Sequence, residues 1–397
     1  MRSSCSPSPG GELRVTHVLE AYGGVETYLR LLLDHWQDDD VRFSFVLGHD
    51  NSFAAELRER GHTVAVVPMP RTRSQLSGLA SARRLRGVIR ELAPDVVHLH
   101  SSQAGFVGRL ACIGSSSRVV YTPHAFYYLG MTGARRRLFM TAERVLARLC
   151  PTQVLATSPS EAHRAVTDVG VPDRRVSTLL NAVEISGTAF RPRPVAGPLR
   201  VGMVGRVCPQ KGLETFVGAA ASLARSRPSD FEFHLVGVGH YVGDDAVLES
   251  LCDRAGMDSS DLHRRAWLPR PQVLEWMCGC DVIVLSSRFE SFGYALAEAG
   301  ACGVAAVGTD TDGIRDVVED GVSGLLFPVD DADALARLLI RLADDRELTA
   351  RLGAGGRRVV SERMDINGFV RDLDDYYRRL LDQQGVRSDR PRSGAIA

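Results

Sequence analysis

Lysine is nearly absent from this chain: of 48 basic residues only Lys211 is one, and the rest are arginine. A bias of that kind leaves lysine where a compact, movable ammonium is needed in place of a planar fork. Net charge is absent as well, with 48 basic residues against 48 acidic ones. That balance argues against a protein that coats nucleic acid, because neutralising phosphates takes a basic surplus. No apolar run approaches the roughly 20 residues of a spanning helix, and the start M-R-S-S-C-S-P-S-P-G-G offers no apolar stretch for a secretory signal. A cytoplasmic protein is expected. The 8 cysteines are scattered without paired C-x-x-C units, so no structural zinc site is expected and the thiols are read as reduced. Cys278 and Cys280 have no nearby histidine or second pair to complete a metal or redox couple.

What the 397 residues do contain is a repeated alternation of short β-branched runs with amphipathic stretches. Parallel sheets wrapped by helices are written this way. Strands are expected at Val15–Leu19, Arg42–Leu47, Thr63–Val67, Val96–Leu99, Arg118–Tyr121 and Gln153–Ala156. Val25–Trp36, Ser77–Leu92 and Arg135–Leu149 read as crossover helices. Three prolines fall between Phe190 and Leu199, after which the pattern restarts at Arg200–Val204, Phe231–Val236, Asp281–Leu285 and Ala305–Val307. The division is therefore 1–12 disordered, 13–188 and 199–363 two doubly wound, Rossmann-like α/β domains facing a cleft, and 189–198 a linker. A helix over 364–384, with Phe369, Leu373, Tyr376, Tyr377 and Leu380 on one stripe, closes the second domain or crosses back to the first. The tail 385–397 is rich in Ser, Pro, Gly and Arg and reads as disordered.

Several segments carry chemistry. Gly23 and Gly24 stand between a strand and a helix, where backbone N–H groups can approach a phosphate at the helix's positive end. A tight strand-to-helix turn reads the same way. In G-R-V-C-P-Q-K-G, Arg206 at a strand end and Lys211 at a helix start can converge on a diphosphate, one as a fork and one as a point charge. The GxxxxGK[ST] order of a P-loop is absent, and the G-V-G of Gly237–Gly239 lacks the rest of a dinucleotide fingerprint. In S-S-R-F-E-S-F-G-Y-A-L-A-E, Glu290 precedes a helix and Glu298 lies on it, up to roughly 12 Å apart along the axis. Two such carboxylates can hold hydroxyls at opposite ends of an extended ligand, while Ser291, Phe292 and Gly293 offer backbone N–H groups between them. His98 and His100 share one strand face and read as core residues. Trp267, in the loop after the strand of R-R-A-W-L-P, is a candidate neighbour of a base. Arg135, Arg136 and Arg137 open an amphipathic helix that reads as a solvated surface or as a face for anionic lipid headgroups.

Together these segments resemble the retaining GT-B-fold glycosyltransferases of family 4, the glycosyl transferases group 1. The resemblance covers Val15 to Leu381: the glutamates match the family's E-x7-E, Arg206 and Lys211 its diphosphate pair, and Gly23 with Gly24 its N-terminal glycine loop. P-D-V-V-H-L-H, T-P-H-A-F and D-G-I-R-D-V-V-E-D-G-V-S-G-L-L-F-P also match. The resemblance implies that Glu298 binds ribose hydroxyls, Glu290 the hydroxyls of the transferred sugar, and Arg206 and Lys211 the diphosphate. It sets His124 against the donor sugar beside the reacting carbon. A nucleoside diphosphate sugar is then the donor substrate, UDP- or GDP-linked, with no cofactor. The acceptor is a glycan, a lipid-linked sugar or a small molecule, met on the first domain, with peripheral contact to an anionic membrane left open. No metal is expected, nor an Asp-x-Asp motif beside the donor site. A GT-B sugar-nucleotide epimerase or phosphorylase, and a non-catalytic nucleotide-sugar binder, are the alternatives. The family usually has Gly where Ala182 and Asp312 stand, and Glu where Asp316 stands; these departures bear on sugar or base preference.

Overall fold

A computed structural model describes residues 12–20, 23–69, 75–150, 152–185, 197–239 and 243–382, with residues 75–77 as backbone. The expected linker falls almost wholly outside the described residues, as do the first eleven residues and the tail. Seven strands form the first sheet: β1 (Leu13–Leu19), β2 (Val41–Leu47), β3 (Thr63–Val66), β4 (Val96–His100), β5 (Arg118–Thr122), β6 (Gln153–Ala156) and β7 (Val176–Thr178). Six form the second: β8 (Leu199–Val204), β9 (Phe231–Val238), β10 (Leu262–Ala266), β11 (Val282–Leu285), β12 (Ala305–Thr309) and β13 (Gly324–Phe327). The orders are 3-2-1-4-5-6-7 and 10-9-8-11-12-13, and the ladders are parallel. Two Rossmann-like sheets are thus found where the alternation asked for them.

The central strands read as near-continuous apolar runs because both their faces are covered. Val15, Val18, Val96, Val97 and Leu99 are fully buried, as are Val282, Ile283, Val284 and Leu285. Two strands escape the sequence reading. β7 is only V-S-T, and β13 sits inside G-V-S-G-L-L-F-P, where the flanking glycine and proline imitate a turn.

The last helix, Ile366–Asp382, buries Ile366, Phe369, Val370, Leu373, Tyr377 and Leu380 in one cluster with Val15, Phe45, Leu29 and Leu32 of the first domain. At about 1.5–3 kcal/mol per fully buried large apolar side chain, this stripe is a strong attachment. Arg378 adds an ion pair to Asp38. The chain returns beside its outward crossing, for Val183 N–H donates to Met364 C=O at 2.9 Å. Among the described residues no helix is long and apolar enough to cross a membrane.

Candidate active site

In doubly wound sheets a ligand crevice opens beyond the carboxyl ends of the strands, where the strand order reverses. That point lies between β1 and β4 in the first sheet and between β8 and β11 in the second. Gly23 and Gly24 follow β1, His124 follows β5, Arg206 and Lys211 follow β8, and Glu290 follows β11. The two crevices face each other. Tyr294 Cδ2 lies 3.9 Å from the position a Cβ on Gly24 would take, and the Phe289 ring reaches within 3.0 Å of that position on Gly130.

On the second domain Lys211 Nζ lies 2.5 Å from Glu290 Oε1, and Ser287 Oγ donates to the same oxygen at 2.9 Å. Only 17% and 11% of the two charged side chains is exposed. The turn that brings them together depends on Gly212, whose φ of 59° is left-handed and whose Cβ would fall 2.1 Å from Ser286 C=O. Ser286 Oγ donates to the Gly212 carbonyl at 2.9 Å, and Arg288 N–H to the Gln210 carbonyl at 2.8 Å, stitching the two loops. Arg206 is half-buried on the same loop. Phe292 is buried and Gly293, at φ 88°, opens the helix Tyr294–Cys302. Gly313 closes in behind, where a Cβ would stand 2.7 Å from Phe292 N.

Glu298 is buried on that helix, and burial raises its carboxyl above the usual range while Arg270 opposes the shift. Arg270 Nε donates to Glu298 Oε1 at 2.9 Å, and its Nη1 lies 3.7 Å from Glu184 Oε2. Neither Arg270 nor Glu184 is legible as a site residue in the sequence. Trp267 is about half exposed, in the loop after β10.

On the first domain His124 and Ala125 both take left-handed conformations, at φ 49° and 74°. Ala125 N–H donates to Glu161 Oε1 at 2.8 Å, while Thr157 N–H and Oγ1 donate to Glu161 Oε2 at 2.8 and 2.9 Å. His124 Nε2 is 3.0 Å from His100 Nδ1. His17, His98 and His100 each offer a nitrogen within 4.8 Å of the others, as a metal site would. Both nitrogens of His98 and His100 are engaged, His98 at 2.6 Å from Tyr377 Oη and 2.8 Å from Thr122 Oγ1 and His100 Nε2 at 2.9 Å from His17 Nδ1, while His17 Nε2 is without a partner.

The expectation of no Asp-x-Asp beside this site needs correction, because Asp310–Thr311–Asp312 follows β12 and Thr311 Oγ1 donates to Arg288 C=O at 3.4 Å. Its carboxylates are already paired, Asp310 with Arg315 at 2.7 Å and Asp312 with Arg164. The second pair crosses the cleft. Asp316 reinforces it by accepting from Ser160 N–H at 3.0 Å, at the positive start of the helix Pro159–Thr167. Two residues that depart from the family pattern therefore bind one domain to the other. Partly exposed pairs are worth about 0.2–1 kcal/mol each, so Asp312→Gly is expected to raise the donor KM up to about fivefold. It should also enlarge the radius of gyration in solution scattering; unchanged values for both would deny the contact a role in closure.

Two parallel α/β domains that face each other at their switch points, the second carrying the lysine–glutamate pair and a further glutamate on the helix that follows, have the GT-B architecture of nucleotide-sugar enzymes. Residues 22–186 match the family model Glycosyltransferase Family 4, and residues 198–345 match Glycosyl transferases group 1. The chain belongs to the family 4 glycosyltransferases, a retaining class. It is 30% identical over 295 residues to the D-inositol 3-phosphate glycosyltransferase of Thermomonospora curvata, covering 66% of this chain and 67% of that enzyme. It is 24% identical over 291 residues to the Escherichia coli UDP-Gal:alpha-D-GlcNAc-diphosphoundecaprenol alpha-1,3-galactosyltransferase, covering 69% and 73%. The crystal structure of Anabaena HepE in complex with UDP and glucose superposes with a TM-score of 0.76 at 21% identity, covering 92% of this chain and all of that one.

Proposed function

We propose that the protein transfers a hexose-type unit, with retention at the anomeric carbon, from a UDP- or GDP-sugar to a glycan, lipid-linked or small-molecule acceptor. The observation that carries this reading is the Lys211–Glu290 pair at the β8/β11 switch point, with Glu298 at the far end of the same turn and helix. Without donor, each of the paired groups neutralises the other in a partly dry site. With donor, Lys211 turns to a diphosphate oxygen beside Arg206, and Glu290 accepts from hydroxyls of the sugar. Glu298, oriented by Arg270, accepts from the ribose. The bond from the anomeric carbon to the diphosphate oxygen breaks while the acceptor oxygen bonds that carbon on the same face, and the acceptor proton passes to the departing diphosphate. Lys211, Arg206 and the backbone at Ser291, Phe292 and Gly293 offset the charge that grows there, so this step needs no metal. Complexes of HepE with UDP and the UDP-galactose named for the E. coli relative favour a uridine donor.

The acceptor belongs to the first domain, near the helix Gly133–Leu149. That helix carries five arginines and one acid, Glu143, which is buried and paired with Arg109 at 2.6 Å. Leu138 and Phe139 are exposed beside Arg135 and Arg137. An apolar, basic face of this kind supports a lipid-linked acceptor on an anionic surface.

Titration calorimetry with UDP, GDP and their hexose conjugates tests the donor assignment. One nucleotide family is expected to bind, and Glu298→Ala to weaken it about 10- to 100-fold, the cost of a charged hydrogen-bond partner to two hydroxyls. Undiminished affinity in the folded variant would remove Glu298 from the ribose.

A further inference from the structure

Three imidazoles run in a chain from the core of the first domain to the cleft. His17 lies on β1 opposite His98 of β4, and His100 is two residues further along β4 on the same face. His17 Nδ1 is 2.9 Å from His100 Nε2, and His100 Nδ1 is 3.0 Å from His124 Nε2. Successive rings stack at centroid distances of 5.1 and 5.3 Å. The chain ends blind, for His17 Nε2 is buried with no hydrogen-bond partner.

Burial lowers His17 and His124 to about 3 and His100 well below its ordinary value, so the three rings are neutral at physiological pH. A neutral imidazole carries one N–H. Two linked contacts then allow two proton arrangements. If His124 and His100 donate from Nε2, His17 must keep its proton on Nε2, a buried N–H with no acceptor. If His17 and His100 donate from Nδ1, His17 Nε2 is only a bare lone pair. An orphaned buried N–H is the rarer and costlier defect.

We infer that His17 and His100 are positioning residues that lock His124 in its Nδ1–H tautomer, with Nε2 occupied as an acceptor. Building on the proposed place of His124 beside the donor sugar, this makes His124 a hydrogen-bond donor to a sugar oxygen through Nδ1, and not a base. The neighbouring His98 supplies an internal contrast. Thr122 Oγ1 donates to Leu155 C=O at 2.8 Å, so it accepts from His98 Nε2–H at 2.8 Å, and His98 Nδ1 accepts from Tyr377. Two adjacent histidines of one face thus carry opposite tautomers.

The test is nitrogen-15 NMR of the histidine side chains in the full protein, with the His124 signals assigned by their loss in His124→Gln. Nδ1–H at His124 and Nε2–H at His98 are expected; Nε2–H at His124 would overturn the inference. In His100→Phe, His124 should move toward Nε2–H, and kcat should fall about 10- to 100-fold with a much smaller change in donor KM, as when an orienting partner is lost. A folded His100→Phe that keeps both the tautomer and kcat would also overturn it. If instead the tautomers are as expected but His124→Gln turns over at the normal rate, the tautomer lock stands and the placement of His124 beside the sugar fails.

Discussion

Lys211→Ala is expected to lower kcat/KM for the donor about 100- to 1,000-fold, the scale of losing one preorganised partner of a developing anion. Steady-state release of the nucleoside diphosphate measures it, with a thermal melt to show that the variant is folded. The loss should fall on kcat more than on donor affinity, because the charge on the departing diphosphate is largest in the transition state. Lys211→Arg sharpens the test. The ammonium is largely buried at 2.5 Å from Glu290, and its stem passes so near Gly205 that a Cβ there would stand 3.4 Å from it, so a bulkier planar guanidinium has to displace its surroundings to reach the same point. Arginine should therefore restore little, which is the physical content of one lysine among 48 basic residues. A Lys211→Arg variant with normal turnover would reduce the single lysine to chance.

Much of the frame is legible because its signals are local. The β-branched runs that become β1, β2, β4, β5, β8 and β11 are apolar enough to name themselves, and Glu290 and Glu298 are linked by eight residues of a turn and a helix. What escapes depends on register or on distant contacts. His17 is one histidine in L-R-V-T-H-V-L; only the pairing of β1 with β4 sets it opposite His98 and within reach of His100. Arg270 and Glu184 flank Glu298 from segments 28 and 114 residues away. Asp310 and Asp312 show the opposite failure, since the pattern is plain in the sequence but Arg315 and Arg164, which take up the carboxylates, are not.

Glu161 combines both cases and carries the last large effect. In S-P-S-E, Ser158 caps the helix Pro159–Thr167 by accepting from Glu161 N–H at 3.2 Å, which is one half of a capping box. The structure turns the carboxylate elsewhere. One oxygen takes Thr157 and the other takes Ala125 N–H, thereby holding the turn on which His124 and Ala125 are both left-handed. Each such residue costs about 1–2 kcal/mol and persists only where its surroundings enforce it. Burial raises the Glu161 carboxyl, and the bonds from Thr157 and Ala125 oppose that shift. Glu161→Ala leaves two backbone donors without their partner at about 1–3 kcal/mol each if they stay buried, so a total loss of about 2–6 kcal/mol is expected in denaturant unfolding. Glu161→Gln keeps the shape but points an NH2 at one of the two donors. That variant should fold, bind nucleotide normally and lose about 10- to 100-fold in kcat as His124 drifts from the sugar. Ser158→Ala is the contrast, costing about 1 kcal/mol as a lost cap while sparing kcat. Equal effects of Glu161→Gln and Ser158→Ala on turnover would mean that the turn holds itself, and that Glu161 serves the helix alone.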